Sequence, residues 1–168
     1  MIAGRVWKYG DHVNTDLIIP GRYLDDYDPR ALASHAMEDV DPLFSRSVRK
    51  GDVIVAGRNF GCGSSREQAP LALKHAGVGA VVAVSFARIF YRNAINVGLP
   101  VIACPEANIL LSTCDEIAID LEKGTILRTV PHLLVEFNPL PEFLLEILAD
   151  GGLVFHMRRR FSEWSSPR

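Results

Sequence analysis

The stretch from Asp52 to Cys104, DVIVAGRNFGCGSSREQAPLALKHAGVGAVVAVSFARIFYRNAINVGLPVIAC, decides the fold. Three short apolar runs, Asp52 to Ala56, Ala80 to Val84 and Val101 to Cys104, alternate with two helical stretches, Gln68 to Ala76 and Phe86 to Val97. Such alternation predicts a βαβαβ unit on a parallel sheet, with strands buried on both faces. Gly77 and Gly98 stand just past the helices, where a left-handed closing residue is favoured, and Pro100 starts the next strand. Phe86, Ile89, Phe90 and Ile95 form the expected core face of the second helix, which leaves Arg88 and Arg92 for the surface or a partner interface.

Upstream, Gly4 to Tyr9 reads as a strand, followed by the polar turn Gly10, Asp11, His12 and a short extended piece, Leu17 to Ile19, closed by Pro20. Asp28 suits an N-cap and Pro29 the first helical position, so a helix is expected from there to about Glu38. Between Pro20 and Asp28 lies an acidic loop that carries tyrosines. Downstream, Glu116 to Leu121 and Thr125 to Val130 flank a turn at Glu122, Lys123 and Gly124, an antiparallel hairpin. Pro141 opens a final helix with Phe143, Leu144, Ile147 and Leu148 on its apolar face, Gly151 and Gly152 end it, and Leu153 to Phe155 read as a last strand. The expected fold class is α/β, a parallel βαβαβ core with an antiparallel annex.

With 168 residues, 48% of them hydrophobic and 23% charged, the chain suits one globular domain with a core of its own. The formal charge of -2 is spread along the sequence apart from Arg158, Arg159 and Arg160, which read as a solvated end, so no nucleic-acid partner is expected. No run reaches the length of a membrane span and MIAGRVWKYG lacks a signal-peptide core, so the expected location is cytoplasmic, away from membranes. Cys62, Cys104 and Cys114 form no CxxC pair. They signal no disulfide framework, no zinc site and no iron–sulfur cluster held by this chain alone; Cys104 and Cys114 read as small core residues. His35, His75, His132 and His156 have no ligand spacing and read as surface or capped residues.

The chemistry gathers in Gly57 to Pro70, GRNFGCGSSREQAP, the turn from the first buried strand into the first helix. Ligands of open α/β sheets bind at the carboxyl ends of strands, where this turn lies. Its glycines allow a sharp turn and close approach of a ligand to the backbone. Pro70 is comfortable only in a first helical turn, which puts the helix start near Glu67 and leaves Ser64, Ser65 and Arg66 at its mouth. Unpaired amides, the positive helix end and the guanidinium fork would together attract a carboxylate. Ser64 and Glu67 also have capping-box spacing, and a helix that starts earlier would use Ser64 as a plain cap. A Walker loop would need a lysine before its hydroxyl residue, and Arg66 replaces the third glycine of a dinucleotide fingerprint, so a nucleotide site is not expected.

The run NFGCGSSREQAP, with KYGDHVNTDLIIPGRYL before it and AVSFARIFYRNAINVGLP after it, resembles the small subunits of 3-isopropylmalate dehydratase, in the aconitase superfamily, from about Val6 to Val154. The resemblance implies the swivelling β/β/α domain, here residues 1–157 with a C-terminal tail at 158–168. It implies a hydro-lyase of leucine biosynthesis that isomerises 2-isopropylmalate to 3-isopropylmalate by dehydration and rehydration. It also implies a partner, a large subunit in a heterodimer or heterotetramer, which holds a four-iron, four-sulfur cluster; this chain would bind no cofactor or metal.

By the same resemblance Ser64 is the base that takes a proton from the carbon next to a carboxylate, and Ser65 and Arg66 bind a carboxylate of a small dicarboxylic hydroxy acid. Asp16 of NTDLI matches an aspartate near the family's site, and its alternative reading is a turn-forming residue. Tyr23, Leu24 and the residue after them face the variable part of the substrate in the family. Homoaconitase-type relatives tend to carry arginine at that next position, where this chain has Asp25 and Asp26. A negative loop disfavours a third carboxylate, unless the acids merely point into water. Gln68 stands where the family more often has histidine. The readings left beside isopropylmalate are a homoaconitase or dimethylmalate dehydratase small subunit, and a non-catalytic carboxylate-binding module.

Overall fold

The computed structural model describes residues 1–25 and 28–165, with side chains through Phe161. Strand β1 (Ile2–Lys8) shares itself between two partners: Val6 to Lys8 run parallel to β2 (Val53–Ala56), while Ile2 to Arg5 run antiparallel to β5 (Glu116–Asp120). Strands β3 (Ala80–Ala83) and β4 (Val101–Ala103) extend the parallel half. Strands β6 (Thr125–Arg128) and β7 (Leu133–Glu136) extend the antiparallel half, which completes a seven-stranded sheet in the order β4-β3-β2-β1-β5-β6-β7. The expected parallel core and antiparallel annex are both present, and β1 joins them.

The seam at β1 is held by a buried carboxylate. Asp52, 2% exposed, accepts from Arg5 N, Arg5 Nη2 and Trp7 Nε1, each at 2.9 Å, and from Arg49 N at 3.0 Å. Burial alone would raise this carboxyl; the hydrogen bonds, led by Trp7, outweigh it and hold the group below the usual carboxylate range. Gly4 is needed at the same seam, because a Cβ there would lie 2.3 Å from the Gly51 carbonyl oxygen.

Helix α1 (Thr15–Ile18) is a single turn after β1, followed by a 3-10 turn (Gly21–Tyr23), α2 (Pro29–Ser34) and α3 (Phe44–Ser47). Helices α4 (Gln68–Ala76) and α5 (Arg88–Val97) are the crossovers of the parallel half, and Gly77 and Gly98 close them at φ 110° and 79° as expected. The short α6 (Pro105–Leu110), then α7 (Glu142–Ala149) and α8 (Leu153–Ser165), complete the chain. Alternation along the parallel strands serves two cores. Ile54, Ala56, Val81 and Ala83 face Leu32, Leu73 and Phe90, whereas Val53, Val55 and Val82 share the other side with Ala107, Ile119 and Ile126.

Several expectations need correction. Leu17 and Ile18 are helical rather than extended, because the Asn14 side chain accepts from Leu17 N at 2.9 Å and caps the turn. The helix capped by Asp28 stops at Ser34 rather than Glu38: Met37, at φ 61°, turns to donate its amide to Ile18 O at 2.9 Å. Leu153 to Phe155 open α8 instead of forming a strand, as His156 N donates to Gly152 O at 3.0 Å and the His156 ring docks on Asp150 at 2.6 Å. Position 158, where a tail was expected, lies inside α8. Arg159 binds Asp150 and Arg160 binds Glu146, so two of the three arginines tie α8 down. His156 is a buried, capped histidine. Ile89 is 51% exposed rather than in the core, and Cys114 is exposed at φ 73°, whereas Cys104 is buried as expected.

Candidate active site

The loop from Gly57 to Glu67 leaves the carboxyl end of β2 and is anchored by Phe60, which packs edge-on against Phe90 with ring centroids 5.2 Å apart. Gly61, at φ 77°, lies so close to Phe90 that a Cβ would stand 2.1 Å from the ring. Gly63, at φ 96°, makes the second reversal. Both positions require glycine because L side chains are strained there. The loop then lies along the segment Val13 to Asp16, fifty residues earlier in sequence. Gly61 N donates to Val13 O at 2.7 Å, Thr15 N to Cys62 O at 2.8 Å, and the Thr15 hydroxyl to Ser64 O at 3.1 Å.

Helix α4 starts at Gln68, with Glu67 as its N-cap and no side-chain cap. Ser64 is therefore not the capping residue that its spacing allowed. Its side chain and that of Ser65 are exposed and, among the described residues, neither makes a hydrogen bond. The backbone amides of residues 64–68 likewise donate to no group among the described residues. These five donors run from the loop into the positive end of a nine-residue helix, a mouth that favours an anion. Arg66 reaches in from the loop, 15% exposed, donating to Asp16 Oδ1 at 2.5 Å and to Ile19 O at 3.3 Å.

Asp16 is thus a partner of Arg66 rather than a turn former. It is itself 58% exposed, and Gly21 backs the pair, since a Cβ there would be 3.5 Å from Asp16 Oδ1. Any anion that reached the guanidinium would meet Asp16 at the same fork. Tyr23 is engaged elsewhere: its ring stacks on His35 with centroids 3.7 Å apart, and the Arg22 guanidinium carbon lies 4.9 Å from its centroid. Leu24 packs on the core beside α2, and Asp25 is exposed. Among the described residues no hydrogen bond, ion pair or ring contact joins Tyr23, Leu24 or Asp25 to Ser64; Gly21, which backs the Asp16–Arg66 pair, lies at the start of their turn. Asp26 lies outside the described residues. Gln68 is half-buried at the helix start.

Thr15 was not singled out by sequence. The available signal was a threonine between Asn14 and Asp16 at the entry to the apolar run Leu17 to Ile19. As to metals, no group of three or more His, Cys, Asp or Glu among the described residues could hold an ion. Cys104 is buried against Glu136 O, Cys114 is exposed, and Cys62 is half-buried in the loop. Among the described residues no set of side chains fits an iron–sulfur cluster.

The family model described as the aconitase C-terminal domain matches residues 14–107, which include Asp16, the whole loop and α4. A methanogen homoaconitase small subunit from Methanothermobacter thermautotrophicus is 58% identical over 156 residues, 93% of this chain and 90% of that one. A 3-isopropylmalate dehydratase small subunit from Syntrophus aciditrophicus is 52% identical over 158 residues, 94% of this chain and 96% of that one. The crystal structure of a 3-isopropylmalate dehydratase from Methanocaldococcus jannaschii, 50% identical, superposes with a TM-score of 0.92 over 98% of this chain and 97% of that one. A sheet of the same build, a loop in the matched region and half-identical sequence over nearly the full length agree: the chain belongs to the aconitase superfamily, in the family of 3-isopropylmalate dehydratase small subunits.

Proposed function

We propose that this chain is the small subunit of a 3-isopropylmalate dehydratase, a hydro-lyase that interconverts 2-isopropylmalate and 3-isopropylmalate and acts only with its large subunit. The observation that carries the reading is the exposed Ser64 hydroxyl in a loop that leads into the start of α4, where the amides of residues 64–68 donate to no described group and Arg66 follows two positions on. The reaction needs a base for a proton on the carbon next to a carboxylate. A serine hydroxyl is a weak acid, so its alkoxide needs anion-stabilising donors, each worth about 1.5–3 kcal/mol when the acceptor is charged. The mouth of α4 offers such donors without rearrangement.

In this scheme Ser64 takes the carbon-bound proton, and the electron pair of that bond becomes the alkene π bond as hydroxide leaves the neighbouring carbon. Ser64 later returns the proton when water adds with the opposite regiochemistry. Ser65 and Arg66 hold a substrate carboxylate, and Asp16 keeps the Arg66 fork aimed at the mouth until substrate arrives. The four-iron, four-sulfur cluster, assigned to the large subunit, would supply the Lewis acid for the leaving hydroxyl. Exposure of Ser64 and Ser65 fits a site completed by the face of another chain.

For the substrate, Asp25 is exposed after Leu24 and carries a charge that disfavours a third carboxylate, which supports isopropylmalate. The second reading, a homoaconitase small subunit, is favoured by the 58% identity to the Methanothermobacter protein. In the isopropylmalate reading Tyr23 and Leu24 would act by shaping the 3-10 turn that presents Asp25. The test is turnover of 2-isopropylmalate against homocitrate by this chain reconstituted anaerobically with a cluster-loaded large subunit. Preference for 2-isopropylmalate is expected. Preference for homocitrate overturns the role of Asp25, and turnover of neither by an assembled complex leaves a dimethylmalate dehydratase small subunit or a non-catalytic carboxylate-binding module.

A further inference from the structure

Thr15 is a polar side chain in an apolar setting, 2% exposed, and one of only three buried polar or charged residues among those described. The other two, Asp52 and His156, belong to the β1 seam and to the docking of α8. Thr15 grips the loop at two points. Its amide donates to Cys62 O at 2.8 Å and its hydroxyl to Ser64 O at 3.1 Å. Gly63 arches between them at φ 96°, where a Cβ would be 3.4 Å from the Thr15 hydroxyl oxygen.

Two carbonyls turned toward one residue have a consequence on the far side. In a planar trans peptide the C=O of one residue and the N–H of the next point in opposite directions. With Cys62 O and Ser64 O both turned to Thr15, the amides of Gly63 and Ser65 turn away from it. Amides directed outward from one side of a loop are left free to donate to an anion. From this geometry we propose that Thr15 is a positioning residue: its hydroxyl fixes the Ser64–Ser65 peptide, so that the proposed base and the amide that supports its anionic form keep one geometry through the reaction.

The proposal rests on the reading of Ser64 as the base, and the variants separate the two. In the complex with the cluster-loaded large subunit, Thr15→Val keeps the shape of the side chain and removes its hydroxyl, while Thr15→Ser keeps the hydroxyl. Thr15→Val is expected to lower kcat roughly 10- to 100-fold, as for a small displacement of a reacting group, with KM within about threefold. The rising limb of its pH profile moves to higher pH, because the alkoxide is less well supported. Thr15→Ser restores both, and if Thr15→Val does not fold, Thr15→Ser and Thr15→Ala compared at equal folded fraction carry the same test. Wild-type kcat and pH profile in Thr15→Val, or equal impairment of Thr15→Ser, overturns the positioning role. Ser64→Ala, measured alongside, should be inactive; full activity there overturns the base assignment and the Thr15 role with it.

Discussion

At the residue scale, the site depends on a few positions where one atom more or less matters. Arg66 offers a planar fork that a lysine cannot copy, so Arg66→Lys is expected to raise KM for the diacid by about tenfold or more while the complex still assembles. An unchanged KM would mean the carboxylate is bound elsewhere. Gly61 tolerates no side chain, since its φ is 77° and Phe90 fills the space. Gly61→Ala should lower stability by about 2 kcal/mol or more in a urea titration, and a variant as stable as wild type would contradict this packing. The glycines, the two serines and Arg66 were legible in sequence because each carries its chemistry in its type. The contact of Arg66 with Asp16 was not, because nothing local marks a pair fifty positions apart. Thr15 was hidden for a related reason: its importance lies in its burial.

At the element scale, the βαβαβ unit was legible since each crossover ends in a glycine and each strand is an unbroken apolar run. Strand β1 could be read as a strand but not placed: its position between the two halves depends on pairing with β2 and β5, and on Asp52. Strand β7 was missed altogether, and α8 was misread, since three apolar residues after two glycines suit a strand as well as a helix until Asp150 meets His156. The Asp52 network gives a pH prediction with a definite sign. Its carboxyl lies below its unfolded value of about 3.9, so its contribution is complete above that value and is lost as pH falls through the lower folded one. Asp52→Asn, which breaks a buried pair, should cost about 3–5 kcal/mol at pH 7 and show a smaller loss of stability than wild type on acidification below about pH 4. Parallel stability curves for the two proteins from pH 7 to pH 2 would contradict this.

At the scale of the whole molecule, the proposed function makes the chain one half of a reaction centre. It has an anion-favouring mouth with an open hydroxyl, and its own cysteines and histidines do not gather into a metal site among the described residues. The chain purified alone is expected to be colourless and without turnover, measured by visible absorbance and by formation of the alkene diacid; a brown chain with bound iron would contradict the division of labour. The whole-chain likeness was readable from the loop and its flanking runs, and the 0.92 TM-score to the Methanocaldococcus structure agrees with it. In the proposed function the choice of diacid depends on a surface that two chains build together, of which one sequence holds only this chain's side. The central claim is that Ser64 is the base of a site shared between subunits. Its most direct test is single-turnover conversion of 2-isopropylmalate by Ser64→Ala in a complex shown by gel filtration to hold the large subunit as tightly as wild type. The account predicts a fall of about a thousandfold or more in the rate with the complex intact, and a rate within a few-fold of wild type would contradict it.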